Sequence, residues 1–138
     1  MGRILALDFG LKRTGIAITD DMNIIASGLT TVESSSLMNY LKQVVQEKNV
    51  STIVLGEPKR LNASDSSVTQ NVYLLKEALQ KEFPPILIEL YDERFTSKMA
   101  FQSLIDSKVS KKKRMDKGLI DEVSATIILQ SYMQSIAL

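Results

Sequence analysis

Histidine and cysteine are both absent from this chain of 138 residues. Without cysteine there is no disulfide framework and no thiol nucleophile, which fits a reducing compartment. Without histidine, neither a Ser-His-Asp nor a Cys-His mechanism can be assembled, and the usual His/Cys zinc sites are excluded. Long apolar runs are missing too, so no segment is expected to span a membrane. The stretch "ILAL" is too short for a signal-peptide core, and Asp8 ends it. Ala6 stands where a myristoylation signal needs Ser or Thr. The expected location is therefore cytoplasmic, with no membrane partner. The sequons at Asn49 and Asn62 then carry no glycan. No "GKS" or "GKT" is present, so there is no Walker lysine.

What remains for catalysis is carboxylates, Lys, Arg, Tyr, hydroxyls and the backbone. Carboxylates suit hard cations such as Mg²⁺ or Mn²⁺. The length suits one domain, residues 1–138, burying roughly two thirds of the unfolded surface. An apolar content of 44% and 17 basic against 16 acidic residues indicate an ordinary globular protein.

Hydrophobic alternation predicts strands at about 3–9, 15–20 and 23–32, joined by "GLKRTG" and "DMN" as turns. The segment "ESSSLMNYLKQVVQEKN" reads as a helix with serines 34–36 as N-caps and Leu37, Leu41, Val44 and Val45 on one face. Strand 4 is "TIVLGEP", ended by Pro58. A helix with Val68, Val72, Leu75 and Leu79 on one stripe follows, then strand 5, "ILIELYDE". A helix at about 97–106, a basic loop and a last helix at about 118–136 complete the chain. A three-strand meander followed by two strand–helix alternations implies an α/β fold. Its mixed five-stranded sheet has order 3-2-1-4-5, strand 2 antiparallel, and helices on both faces.

In such a sheet the carboxyl ends of strands 1, 4 and 5 share one edge, where open α/β sheets bind ligands. Asp8, Glu57 and the pair Asp92–Glu93 fall there. A carboxylate inside an apolar run is costly unless it is paired or binds a metal; alternatively, Asp8 is a turn-maker before Gly10. Pleat alternation lets only one of Asp92 and Glu93 face the same way as Asp8. Asp121 shares a helical face with Ser124, Ala125 and Ile128, small enough at 124 and 125 to approach the sheet closely. Taken alone, Asp121 reads as an acid favouring a helix N-terminus. Acids converging without histidine repel unless divalent cations join them. Such clusters cleave phosphodiesters.

Six of the 17 basic residues lie in 108–117, including Lys111, Lys112, Lys113 and Arg114, against the single acid Asp116. A basic loop beside an acidic metal site suits a polyanion. Lys12 and Arg13, next to Asp8, read either as solvated turn charges or as phosphate contacts. Tyr91, at a strand end, reads as core, with stacking on a base as the alternative.

Four segments, "LALDFGLKRTGIAITD", "IVLGEPKRLN", "YDERFTSKMA" and "KGLIDEVSATIILQSY", resemble in order the motifs of the YqgF family of RNase H-like pre-16S rRNA nucleases and Holliday-junction-resolvase homologues. The resemblance implies an RNase H-like fold and Mg²⁺- or Mn²⁺-dependent cleavage, with Asp8, Glu93 and Asp121 as the metal-binding catalytic acids. It implies work on the 5′ end of precursor rRNA, with the small ribosomal subunit as a partner, as a monomer or homodimer. Asp92 then supports the site, bonding backbone or Arg94, and Arg94 joins the nucleic-acid contacts. Glu57 stands where the family commonly has an apolar residue; it is either an added acid or a solvated charge. Rival readings are a DNA four-way-junction nuclease, a non-catalytic nucleic-acid-binding protein, and an actin-like ATPase suggested by "DFGLKRTG", which needs two such domains.

Overall fold

The computed structural model describes residues 2–57, 66–92 and 117–136. Five strands are present among them: β1 (Arg3–Phe9), β2 (Arg13–Thr19), β3 (Ala26–Glu33), β4 (Val50–Glu57) and β5 (Leu87–Asp92). Three α-helices accompany them: α1 (Leu37–Glu47), α2 (Ser66–Glu82) and α3 (Lys117–Ile136). The sheet order is β3-β2-β1-β4-β5, as the alternation of elements implies. β2 runs antiparallel to both β1 and β3, while β4 pairs in parallel with β1 and β5. The helix expected at 97–106 and the basic loop lie outside the described residues.

The pleat divides the sheet between two cores. Leu5 and Leu7 of β1, Ile16 of β2, Ile53 and Leu55 of β4 and Ile88 of β5 pack beneath α1 and α2. Leu37, Leu41 and Val44 supply the α1 side, on the stripe that helical periodicity marks. The alternate residues Ile4, Ala6, Ala17 and Val54 meet Ala125, Ile128, Leu129 and Tyr132 of α3. Each fully buried Leu or Ile contributes about 1.5–3 kcal/mol of transfer free energy. Small alanines on the α3 face of the sheet let that helix lie close.

Three local readings are corrected. First, β2 begins at Arg13, so only Gly10, Leu11 and Lys12 join β1 to β2. Gly10 N–H donates to the Arg13 carbonyl at 2.9 Å, closing the hairpin early. Second, β3 begins at Ala26 because the Asp20 carboxylate accepts the backbone N–H groups of Ile24 and Ile25, at 2.7 and 2.9 Å. Those bonds compete with the strand ladder. Asn23 takes the left-handed conformation, φ 55°. Third, the serines at 34–36 form a 3₁₀ turn, and Ser36 makes no side-chain cap bond. Ser34 instead donates from Oγ to the Gly10 carbonyl at 2.6 Å and lies 2.9 Å from Thr14 Oγ1. Since a hydroxyl has one proton, Thr14 is the donor to Ser34. The Ser34 backbone N–H also donates to the Lys12 carbonyl at 2.9 Å. One serine thus fastens both ends of the β1–β2 loop.

Candidate active site

Asp8 sits in β1 two residues beyond Ala6 and four beyond Ile4, so alternation turns its side chain to the α3 face. Its partner in the β1–β2 ladder is Gly15. At Gly15 the helix backbone comes down onto the sheet. A Cβ added there would lie 2.0 Å from the Asp121 carbonyl oxygen and 2.9 Å from the Asp121 Cβ. Cross-strand partners hold their Cβ positions about 5 Å apart. Asp8 and Asp121, 113 positions apart by residue number, therefore share one small region at the carboxyl end of β1. The absence of a side chain at position 15 is what permits it. A glycine inside a strand commonly marks such a close backbone approach.

The start of α3 is held by further contacts. Thr31 Oγ1 of β3 donates to the Gly118 carbonyl at 2.6 Å. Ser124 and Ala125 are buried against the sheet. The residues expected to let the helix approach do so, and Gly15 supplies the complementary gap on the sheet side.

Arg13 is the residue whose role the sequence concealed. It shares the parity of Gly15 and Ala17, and its Nε donates to Asp121 Oδ2 at 3.0 Å. The pair is partly open to solvent, 39% for the arginine and 23% for the aspartate side chain. Such a pair contributes about 0.2–1 kcal/mol. The signal was available: Arg13 and Gly15 alternate in one strand, and Gly15 faces Asp121. As a residue of the "GLKRTG" turn, Arg13 would have no strand face.

Glu57 and Asp92 are placed elsewhere. Glu57 continues the Ile53–Leu55 series, and Asp92 the Ile88–Leu90 series, so both face the α1–α2 side. They are register partners at the ends of β4 and β5. The Tyr73 hydroxyl of α2 donates to Glu57 Oε2. The structure thus brings Asp8, Asp121 and Arg13 together and sends Glu57 and Asp92 to the opposite face. Lys12 is exposed in the loop beside them. Glu93, Arg94, Lys111, Lys112, Lys113 and Arg114 lie outside the described residues.

Tyr91 is partly buried and packs against the core beneath α3. Its ring meets that of Tyr132 edge-on, with centroids 6.1 Å apart. Burial, and then a hydrogen bond to the Glu89 carboxylate, push the Tyr132 hydroxyl up to about 12. The Asp20 carboxyl is held below the usual range by the N–H groups of Ile25 and Ile24.

Among the described residues, no three acids gather closely enough to hold a metal ion by themselves. The donors that do meet, two carboxylates, have the chemistry of a hard-cation site. Asp121 already accepts a cation there, the Arg13 guanidinium. The donor set fits a divalent ion in kind. Among the described residues no helix is long and apolar enough to cross a membrane.

Known proteins resemble this chain in sequence and in fold. A family model described as RuvX, Holliday junction resolvase, matches residues 2–135. A protein of Flavobacterium psychrophilum named as a pre-16S rRNA nuclease is 50% identical over 133 residues, covering 96% of this chain and 97% of its own. A relative of the same name from Christiangramia forsetii is 49% identical, covering 96% of this chain and 98% of its own. Among solved structures, Thermus thermophilus RuvC in complex with a Holliday junction substrate superposes with a TM-score of 0.60 at 12% identity, covering 99% of this chain and 97% of that one. Fowlpox virus resolvase bound to Holliday junction DNA gives a TM-score of 0.55 at 16% identity, covering 99% of each chain. At these identities the structural likeness establishes the fold, which is RNase H-like.

Proposed function

This chain belongs to the RuvX Holliday junction resolvase family, a family of phosphodiester-cleaving enzymes, and we propose that it is a divalent-metal-dependent nuclease trimming the 5′ end of precursor 16S rRNA. The observation that carries this reading is the seating of α3 on Gly15, which sets Asp121 beside Asp8 at the ligand-binding edge of the sheet. The YqgF resemblance of the four motifs points the same way.

Asp8, Asp121 and Glu93 are the residues that would hold Mg²⁺ or Mn²⁺. Strand alternation counts against Asp92, which follows Ile88 and Leu90 to the far face. The bound ion would supply Lewis-acid polarisation of the scissile phosphate and a more acidic water. The chain's own residues do the rest. Asp8 and Asp121 orient the site, carried on a strand and a helix that are both packed. Lys12 and Arg13 offer positive charge to the phosphate backbone, and Arg94 with Lys111, Lys112, Lys113 and Arg114 extends that charge along the strand. Glu57 and Asp92 take no part in ion binding on this reading.

The rRNA substrate is supported by the names of relatives about half identical over nearly their whole length. It implies a cytoplasmic, single-domain enzyme that meets the small ribosomal subunit, as a monomer or homodimer. A second reading, cleavage of four-way DNA junctions, is favoured by the description of the family itself; it requires a symmetric dimer. The test is cleavage of a precursor 16S rRNA fragment and of a four-way junction, side by side, with Mg²⁺ or Mn²⁺, by the wild type and Asp8→Asn. We expect the wild type to cut the RNA and the variant to lose that activity. Preferential cutting of the junction supports the second reading, and equal activity of the two proteins removes Asp8 from the mechanism.

A further inference from the structure

We propose that Arg13 is the group a divalent cation must displace from Asp121, and that the displaced guanidinium then takes a backbone phosphate, so that metal and nucleic acid bind cooperatively. This rests on the nuclease reading of the Asp8–Asp121 site and adds to it a residue with two alternating partners.

Three observations carry it. The Arg13–Asp121 bond is single-pronged, through Nε alone, at 3.0 Å. A guanidinium has five N–H donors, and among the described residues the remaining four of Arg13 engage no acceptor. An arginine so placed keeps a two-pronged edge that matches a phosphate. Next, Asp121 cannot follow the arginine away. Its backbone rests on Gly15, and its helix start is tied by Thr31 to the Gly118 carbonyl. Arg13, by contrast, opens β2 directly after the Gly10–Lys12 loop, and its side chain is 39% exposed. Ser34 holds the loop backbone at Gly10 and Lys12, so the side chain can swing while its root stays fixed. Finally, the charges order the steps. In the metal-free site the guanidinium offsets one carboxylate. A dication held by these carboxylates would be a like-charged neighbour of Arg13 and would repel it. A phosphate brought to the same spot accepts the guanidinium and relieves that repulsion. By linkage, each ligand then tightens the binding of the other by the same factor.

The experiment measures Mn²⁺ affinity by calorimetry, with and without a short phosphorothioate RNA whose integrity is checked on a gel, for wild type, Arg13→Gln and Arg13→Lys. Circular dichroism confirms folding. Without RNA, Arg13→Gln should bind Mn²⁺ about two- to fivefold more tightly, the strength of a partly exposed ion pair. With RNA, the wild type should gain on the order of fivefold in Mn²⁺ affinity and Arg13→Gln little or nothing. Arg13→Lys, which keeps the charge without the fork, should stay near wild type for Mn²⁺ alone and gain less from RNA. Unchanged Mn²⁺ affinity in Arg13→Gln overturns the displacement. Tighter Mn²⁺ binding with the RNA gain intact overturns the phosphate contact, leaving only general repulsion. In both cases wild-type Mn²⁺ binding survives, and with it the nuclease reading; a wild type that binds no Mn²⁺ overturns both.

Discussion

Replacing Gly15 by alanine places a single methyl group where α3 meets the sheet. The new Cβ would stand 2.0 Å from the Asp121 carbonyl oxygen and 2.3 Å from its carbonyl carbon, whereas ordinary contact begins at 3.4 Å. Both neighbours are helix backbone, so no rotamer change relieves the clash. The start of α3 must lift by more than an ångström, carrying with it the buried Ser124 and Ala125. Overpacking of this kind costs about 1–3 kcal/mol. For a chain of this size that lowers the melting temperature by roughly 3–15 °C. The effect on chemistry should be larger. Asp121 moves with the helix while Asp8 stays with β1, and an ångström of misplacement costs about 10²-fold in rate. The paired control is Gly28→Ala. There the atoms nearest the added Cβ are side-chain ones, Glu122 Oε1 at 3.3 Å, Thr126 Oγ1 at 3.4 Å and Glu122 Cβ at 3.5 Å; only the first is tighter than ordinary contact, and it is the far end of a flexible side chain. Thermal denaturation, Mn²⁺ titration and cleavage of a precursor rRNA fragment should therefore separate the two variants, with Gly28→Ala close to wild type throughout. A Gly15→Ala protein with wild-type melting temperature, Mn²⁺ affinity and rate would refute the role given to this contact.

Asp121→Asn should retain its fold and lose at least about 10²-fold in cleavage, whereas Glu57→Gln, altered on the opposite face, should cleave at the wild-type rate; loss of activity in Glu57→Gln would count against the two-faced site. Ser34→Ala removes the proton that Gly10 accepts and the acceptor for Thr14. It should cost about 1–3 kcal/mol in urea denaturation and leave Mn²⁺ affinity nearly intact. The Tyr132 hydroxyl has a folded value raised from 10.0 to about 12. The folded state therefore holds the proton more tightly, and this stabilisation is complete below pH 10 and disappears as pH rises towards 12. Denaturation followed over that range should show stability falling with pH, and Tyr132→Phe should flatten the slope. At the acid end the sign reverses: Asp20 is held low by backbone donors, so its stabilisation of the β2–β3 loop is present above 3.8 and is lost as pH falls through its lower folded value. Asp20→Asn should weaken that acid dependence.

Strand order, strand direction and the two-sided burial were legible in the chain because they follow from local alternation and from the few ways a meander and two crossovers can be joined. The same alternation, applied to Leu55–Glu57 and Leu90–Asp92, already separates Glu57 and Asp92 from Asp8 once β1 is given its face. Leu37, Leu41 and Val44 of α1 and Ser124, Ala125 and Ile128 of α3 are buried, while Val45 and Asp121 at the margins of those stripes are only partly so. The starts of β2 and β3 were missed because hydrogen bonds outside the ladder decide them: Gly10 to Arg13 in one case, Asp20 to Ile24 and Ile25 in the other.

Composition alone ruled out histidine and cysteine chemistry and left carboxylates as the only candidates for a hard-cation site. The meeting of Asp8 with Asp121, the guanidinium between solvent and the second acid, and Ser34 bracing the loop from 24 residues beyond Gly10 were decided by tertiary structure. Periodicity reports which side of an element is apolar. How closely two elements approach depends on what is missing at the point of contact, and at Gly15 that is a single side chain.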